Sequence, residues 1–172
     1  SLPLTGPYLS YGHDLSFHLA RIEGMVASIK DGQFPVRIPY LWNNGYGYAT
    51  SIFYSELYLL FPVLLRMIGM TVQGAYKAYV FVINAGTCVI TFSCFNKILH
   101  DRRGAIVGTA TYVLSPYRIC CIYVRAAVGE YSAMTFLPLV ILGMYELYRD
   151  SSIKKEKLKD VFSHTLPLIL GI

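Results

Sequence analysis

The 172-residue sequence lacks the short motifs that mark soluble catalytic chemistry. It has no Gly-rich phosphate loop, no Gly-x-Ser-x-Gly and no His-Glu-x-x-His, which removes the usual signatures of nucleotide binding, serine hydrolysis and zinc proteolysis. Its four cysteines, Cys88, Cys94, Cys120 and Cys121, form no Cys-x-x-Cys and no Cys/His pairing at zinc spacing. All four lie in or beside apolar runs and read as buried thiols. Charge is scarce, at 15% of residues, and the excess of cations is not spread as a groove-lining patch. Eight of the fifteen Lys and Arg fall in two short stretches, 97–103 and 149–159. That is the pattern of cytoplasmic loops between membrane spans, so no nucleic-acid partner is expected. No repeat of solenoid period and no low-complexity segment is present.

What the chain has is apolar residue, 55% of the total, with a mean hydropathy of +0.46. Soluble domains sit lower, so the expectation is an all-α, polytopic integral membrane protein. The first residues, Ser1 to Pro7, read as loop, and Leu166–Ile172 stops inside an apolar run, so a fragment of a longer membrane protein is expected. Spans are expected at about 78–98, 105–121 (with Pro116 breaking its final turns), 132–148 and 161–172, the last incomplete. Two spans then separate the two basic loops, which places both on one side of the membrane.

Residues 1–75 are expected to form a loop region on the other side. Within it, 14–31 is an expected interfacial helix opened by Asp14 and closed by Lys30-Asp31-Gly32. At 100° per residue, Leu15, Leu19, Ile22, Val26 and Ile29 share one face, and Asp14, His18, Arg21 and Met25 form the stripe at its rim. An interfacial helix would hold this acid, imidazole and guanidinium at headgroup depth, where a lipid-linked phosphate is met. Pro35 and Pro39 hold 34–41 extended, and a turn-rich loop, 42–48, follows. The stretch 51–70 is apolar but carries Glu56, Arg66 and Pro62, and is read as a membrane-dipping hairpin rather than a span. Asp14 and the 122–131 loop then share the non-cytoplasmic side.

Three stretches, Gly12 to Gly24, Ile29 to Arg37 and Asn43 to Tyr48, together with Arg125-Ala126-Ala127-Val128-Gly129-Glu130, carry a resemblance. The chain resembles the bacterial membrane proteins called 6-pyruvoyl-tetrahydropterin synthase-related, although it holds no His triad for zinc. More broadly the layout is similar to the GT-C membrane glycosyltransferases. That resemblance implies a polyprenyl-phosphate-linked sugar as donor, an acid at the head of a juxtamembrane helix and a second acid in the next outer loop. It also implies residence in the bacterial inner membrane, with lipid and the remaining helices of a longer chain as partners. Asp14 takes the first acid position and Glu130 the second. The chain departs from the pattern in having Glu rather than Asp at the second, and His13 where a second acid often stands beside the first.

On this reading Asp14 is a general base or a ligand to a divalent metal, with Glu130 as its partner, and each has a plain structural alternative. Asp14 is a natural N-cap, and Glu130 is an interfacial acid within reach of Arg125. Arg125, Arg118 and Arg21 are candidate phosphate clamps, the alternative for Arg118 being a snorkelling cation. His18 would tune Asp14 or bind a metal with it. Trp42, Tyr46 and Tyr48 could stack on a sugar, with Asn43 and Asn44 bonding its hydroxyls, or all could belong to an interfacial aromatic belt. Glu56 and Arg66 are expected to pair with other groups or line a wet cleft. The rival class is a non-enzymatic membrane protein, a transporter or a component of envelope assembly.

Overall fold

A computed structural model of the chain describes residues 4–6, 9 and 12–150. Helix is the regular structure of these residues, and no strand occurs among them. The order is α1 (Leu15–Lys30), α2 (Thr50–Phe53), α3 (Leu57–Met67), α4 (Val72–Leu99), α5 (Arg102–Val113), α6 (Pro116–Cys120), a π-helical turn (Cys121–Arg125) and α7 (Val128–Asp150). The expected span at 161–172 and the basic run 154–159 lie outside the described residues.

Among the described residues two helices are long and apolar enough to cross a membrane, Val72–Leu99 and Val128–Arg149. The bent pair Arg102–Val113 and Pro116–Arg125 makes a third if it counts as one span. The break falls at Leu114-Ser115, because Pro116 has no N–H to donate and disfavours helical geometry in the residue before it. Helix starts follow local chemistry. Thr71 Oγ1 accepts from Gly74 N at 3.1 Å at the head of α4. Asp101 caps α5, accepting from Arg103 N at 3.2 Å and Gly104 N at 2.7 Å. The apolar stretch 51–70 does not form one long helix: α3 has 11 residues, about 16 Å at 1.5 Å per residue.

The chain divides into two compact units, residues 1–82 with 119–131 and residues 83–118 with 132–172. In the first, α1 packs on α3 around Ile22, Met25, Val26, Leu59 and Val63, all buried. Tyr131 donates to the Tyr76 hydroxyl at 3.4 Å in the same interior. In the second, Thr87, Thr91, Thr135 and Leu142 are buried, and Tyr112 donates to the Met134 carbonyl at 2.6 Å. A Cβ on Gly108 would come within 2.6 Å of the Phe95 ring, so glycine is what lets α5 lie this close to α4. Cys88, expected to be buried, is exposed on α4, whereas Cys94 and Cys121 are buried.

The face that α1 turns inward differs from the expected one. Ile22 and Val26 are buried as expected, but so are His18, Arg21, Met25 and Ser28, while Leu15, Leu19 and Ile29 are only partly covered. The packed face is therefore turned from the apolar face toward the stripe read as its rim, Asp14 at the helix head staying exposed. The small residues explain it: Trp42 Nε1 and the Pro39 Cβ lie 3.0 and 3.2 Å from where a Cβ on Gly24 would stand. That close approach docks the 39–48 loop on this side. The helix ends as expected, with Lys30 in its last turn and Gly32 at φ +84°.

Candidate functional site

Of the candidate site residues read from the sequence, Asp14, His18, Arg21, Trp42, Asn43, Asn44, Tyr46, Tyr48, Arg125 and Glu130 fall in the first unit. Arg118 belongs to the second. There it is buried and donates to Asn84 Oδ1 at 2.9 Å and Thr87 Oγ1 at 2.8 Å. Thr87 in turn bonds Thr135 at 2.9 Å. This guanidinium is built into a polar network rather than snorkelling to a surface.

Asp14 heads α1, but its side chain makes no capping hydrogen bond. What holds it is backbone. His13 N donates to the Val124 carbonyl at 3.1 Å, and Asp14 N donates to the Arg125 carbonyl at 3.0 Å. These two bonds clip the loop before α1 onto the π-helical turn, leaving His13 and Asp14 exposed. The turn itself ends at Ala126, which adopts left-handed geometry (φ 56°, ψ 37°) before α7 begins. Across this reversal Arg125 forks Glu130, with Nη2 to Oε1 at 2.6 Å and Nη1 to Oε2 at 2.8 Å. The buried Cys121 thiol donates to the same Oε2 at 3.3 Å. The sequence suggested the Arg125–Glu130 pair; the thiol beneath it carried no sequence signal.

One helical turn along, His18 and Arg21 are both 3% exposed. Burial, and then the Arg21 charge, push the His18 pKa down to about 4 against the opposing pull of Asp14, so its imidazole is neutral at pH 7. Its Nδ1 is buried with no hydrogen-bond partner. Arg21 donates to the carbonyls of Tyr54 and Ser55 at 3.5 and 3.4 Å, and its guanidinium lies 5.8 Å from the Phe17 ring centre and 5.2 Å from that of Tyr54. Burial lowers the Arg21 pKa, while the Glu56 charge works the other way. Glu56 Oε1 is buried with no hydrogen-bond partner and acts on Arg21 through its charge, whereas Arg66 finds a partner, its Nε donating to Glu23 Oε1 at 2.8 Å. The Glu23 half of that pair was not legible in the sequence.

The 42–48 loop is mostly occupied with its own structure. Trp42 stacks on Tyr48 at 5.6 Å and meets Phe17 edge-on at 5.8 Å. Asn43 and Asn44 take positive φ, 52° and 56°, and the Asn43 amide donates to the Gly47 carbonyl at 3.1 Å. Tyr46, 91% exposed, faces outward, and Tyr48 is 48% exposed. An apolar hollow lies beside the Asp14 clip, lined by residues that include Gly12, Leu15, Tyr76, Val80, Ile122 and Ala126.

The donor set does not suit a divalent metal shared by Asp14 and Glu130. Both Glu130 oxygens already accept from Arg125, so an incoming cation would have to displace a guanidinium. Among the described residues no three of His, Cys, Asp and Glu gather as metal ligands. No family model matches the chain, and no curated protein or solved structure matches it.

Proposed function

We propose that this chain belongs to a membrane glycosyltransferase of GT-C type, taking its sugar from a polyprenyl-phosphate carrier on the non-cytoplasmic face of the bacterial inner membrane. The observation that carries the reading is the backbone clip, which sets the exposed Asp14 beside the Arg125–Glu130 fork on loops that flank candidate spans. In this mechanism the Asp14 carboxylate takes the proton of the acceptor hydroxyl as its oxygen attacks the anomeric carbon. The carrier phosphate leaves with the bonding electrons, and Arg125 compensates its charge. Glu130 keeps the guanidinium oriented, and no step is assigned to a metal. His18, neutral and one turn from Asp14, fits a dipolar rather than a charged role. Arg21 is committed to carbonyls and rings, so it supports the helix head from below.

The alternative is a transporter or another non-enzymatic component. The broken Arg102–Val113 and Pro116–Arg125 pair favours it, since interrupted helices commonly line transport sites. The deciding experiment follows polyprenyl-phosphate hexose turnover by the full-length protein in proteoliposomes, wild type against Asp14→Asn. A general base is worth roughly 100-fold to 10,000-fold, so a loss of that order with an unchanged helical spectrum is expected. Turnover unaffected by the substitution, or carrier movement without sugar transfer, refutes the transferase.

A further inference from the structure

Of the short helices near the first candidate span, α3 carries an apolar face that is left exposed among the described residues, Phe61 the least so at 39%. Leu57, Phe61, Leu64 and Ile68 fall within about 60° around the helix axis. Leu57, Leu64 and Ile68 are 71%, 60% and 77% exposed, and Phe53 just before the helix is 85% exposed. The opposite side of α3 buries Leu59 and Val63 against α1 and sends Arg66 to Glu23. On α1, by contrast, the large apolar side chains are buried or, as for Leu15, Leu19 and Ile29, partly covered.

We propose that α3 lies in the surface of the bilayer, with Leu57, Phe61, Leu64 and Ile68 among the acyl chains of the leaflet that α4 enters. Helix α1 then rides on the far side of α3 and does not itself touch lipid. Lipid is the occupant because the chain leads there directly. Only residues 68–71 separate α3 from α4, a reach of no more than about 17 Å even fully extended. An apolar face tied that closely to a candidate span meets acyl chains. Two further facts keep α3 from crossing. At about 16 Å it covers half of a hydrocarbon core of roughly 30 Å. The number of crossings agrees. Helix α4 followed by the bent pair, taken as one span, returns the chain to the side it left. The backbone bonds from His13 and Asp14 to Val124 and Arg125 require those ends to meet, which a third crossing at α3 would prevent. The inference stands whether or not the protein transfers sugar.

The chain's single tryptophan makes the test direct. In a Trp42→Phe background, one tryptophan is placed in turn at Leu57, Phe61, Leu64 and Ile68, with Val89 on the exposed face of α4 as the deep reference and Ala20 on α1 as the lipid-free one. The chain is reconstituted in phosphatidylcholine vesicles brominated either near the headgroup or near the chain ends. All four α3 positions are expected to lose more fluorescence to shallow bromine than to deep bromine. Val89 should show the reverse, and Ala20 should lose little to either. Four independent, exposed positions keep the test valid if one variant fails to insert. Deep quenching at Leu64 would mean a spanning hairpin, and no quenching at all four would mean a face covered by protein or water. Either result overturns the proposal.

Discussion

Acid should loosen the first unit through one residue, His18. Its imidazole titrates near 4 in the fold against an ordinary 6.5. Between those values the unfolded chain binds a proton that the folded chain refuses, so stability falls as pH falls. The sign is that of a depressed folded pKa: full stability above about pH 6.5, progressive loss below it, and a plateau beneath the folded value. The separation of about 2.5 units at 1.36 kcal/mol each gives a loss of about 3 kcal/mol by pH 4. That is a sizeable share of a typical domain's margin of roughly 5–15 kcal/mol. The charged groups around the imidazole are Arg21, which resists protonation, and Asp14, which favours it. Glu56 acts on Arg21. Trp42 is a built-in reporter, because it touches Phe17 edge-on and Phe17 touches His18 in the same way at 5.2 Å. Denaturant titrations in mixed micelles, read by Trp42 fluorescence from pH 7 to pH 4, should show this slope in the wild type. In His18→Gln it should flatten, whatever the absolute stability of the variant. Equal slopes in both proteins, or a His18 titration near 6.5, would refute the assignment.

Glu130→Gln removes one charge from a fork whose members are more than a third exposed, so solvent screening holds the expected cost to about 1 kcal/mol. The sharper readout is amide exchange at Asp14, whose N–H is bonded to the Arg125 carbonyl: it should quicken in Glu130→Gln and recover in the Arg125→Glu/Glu130→Arg exchange. Thr87→Val, nearly isosteric, strips the buried Arg118 guanidinium of its 2.8 Å acceptor and Thr135 of its partner, and should cost about 1–2 kcal/mol by thermal unfolding in detergent. An unchanged midpoint would mean that the network contributes nothing to stability.

Local chemistry made some of this fold readable. Asp14 and Lys30-Asp31-Gly32 bracket α1 because chain direction changes at helix ends follow from single residues. Pro116 announced the break before α6 for the same reason. The stretch 51–70 is expected to be interrupted at Pro62, but the break falls between Phe53 and Leu57, and α3 contains Pro62 within its 11 residues. The facing of α1 was not readable. Apolar periodicity points to Leu15, Leu19, Ile22, Val26 and Ile29, of which Ile22 and Val26 are buried, but the packed face is turned toward Gly24, whose lack of a side chain admits Trp42 and Pro39, and it takes His18 and Arg21 inside. Pairings between distant segments were equally hidden. Glu23–Arg66 joins residues 43 apart, and Arg118 reaches acceptors 31 and 34 residues away, so no window of sequence contains both ends. The π-helical turn left no local signature, yet it sets where the Arg125 carbonyl meets Asp14.

The two acids chosen on equal grounds have unequal situations, and the difference narrows the chemistry. Glu130 spends both oxygens on the Arg125 fork and accepts a thiol as well, so taking a proton there would break charge-assisted bonds of 2.6 and 2.8 Å. Asp14 has the position of an N-cap without the bond of one: its amide is anchored across the clip while its carboxylate stays at the surface. A cap that gave up its side-chain bond forgoes roughly 1 kcal/mol of helix stability. That is the kind of local concession expected where a carboxylate is kept for another use. A mechanism with two equivalent acids, or with a metal held between them, would need the fork to open first. A mechanism with one base and one oriented cation needs no rearrangement of these residues. It also makes the two positions separable: Asp14→Asn should abolish turnover at unchanged stability, whereas Glu130→Gln should act only through the placement of Arg125 and leave turnover lowered but measurable.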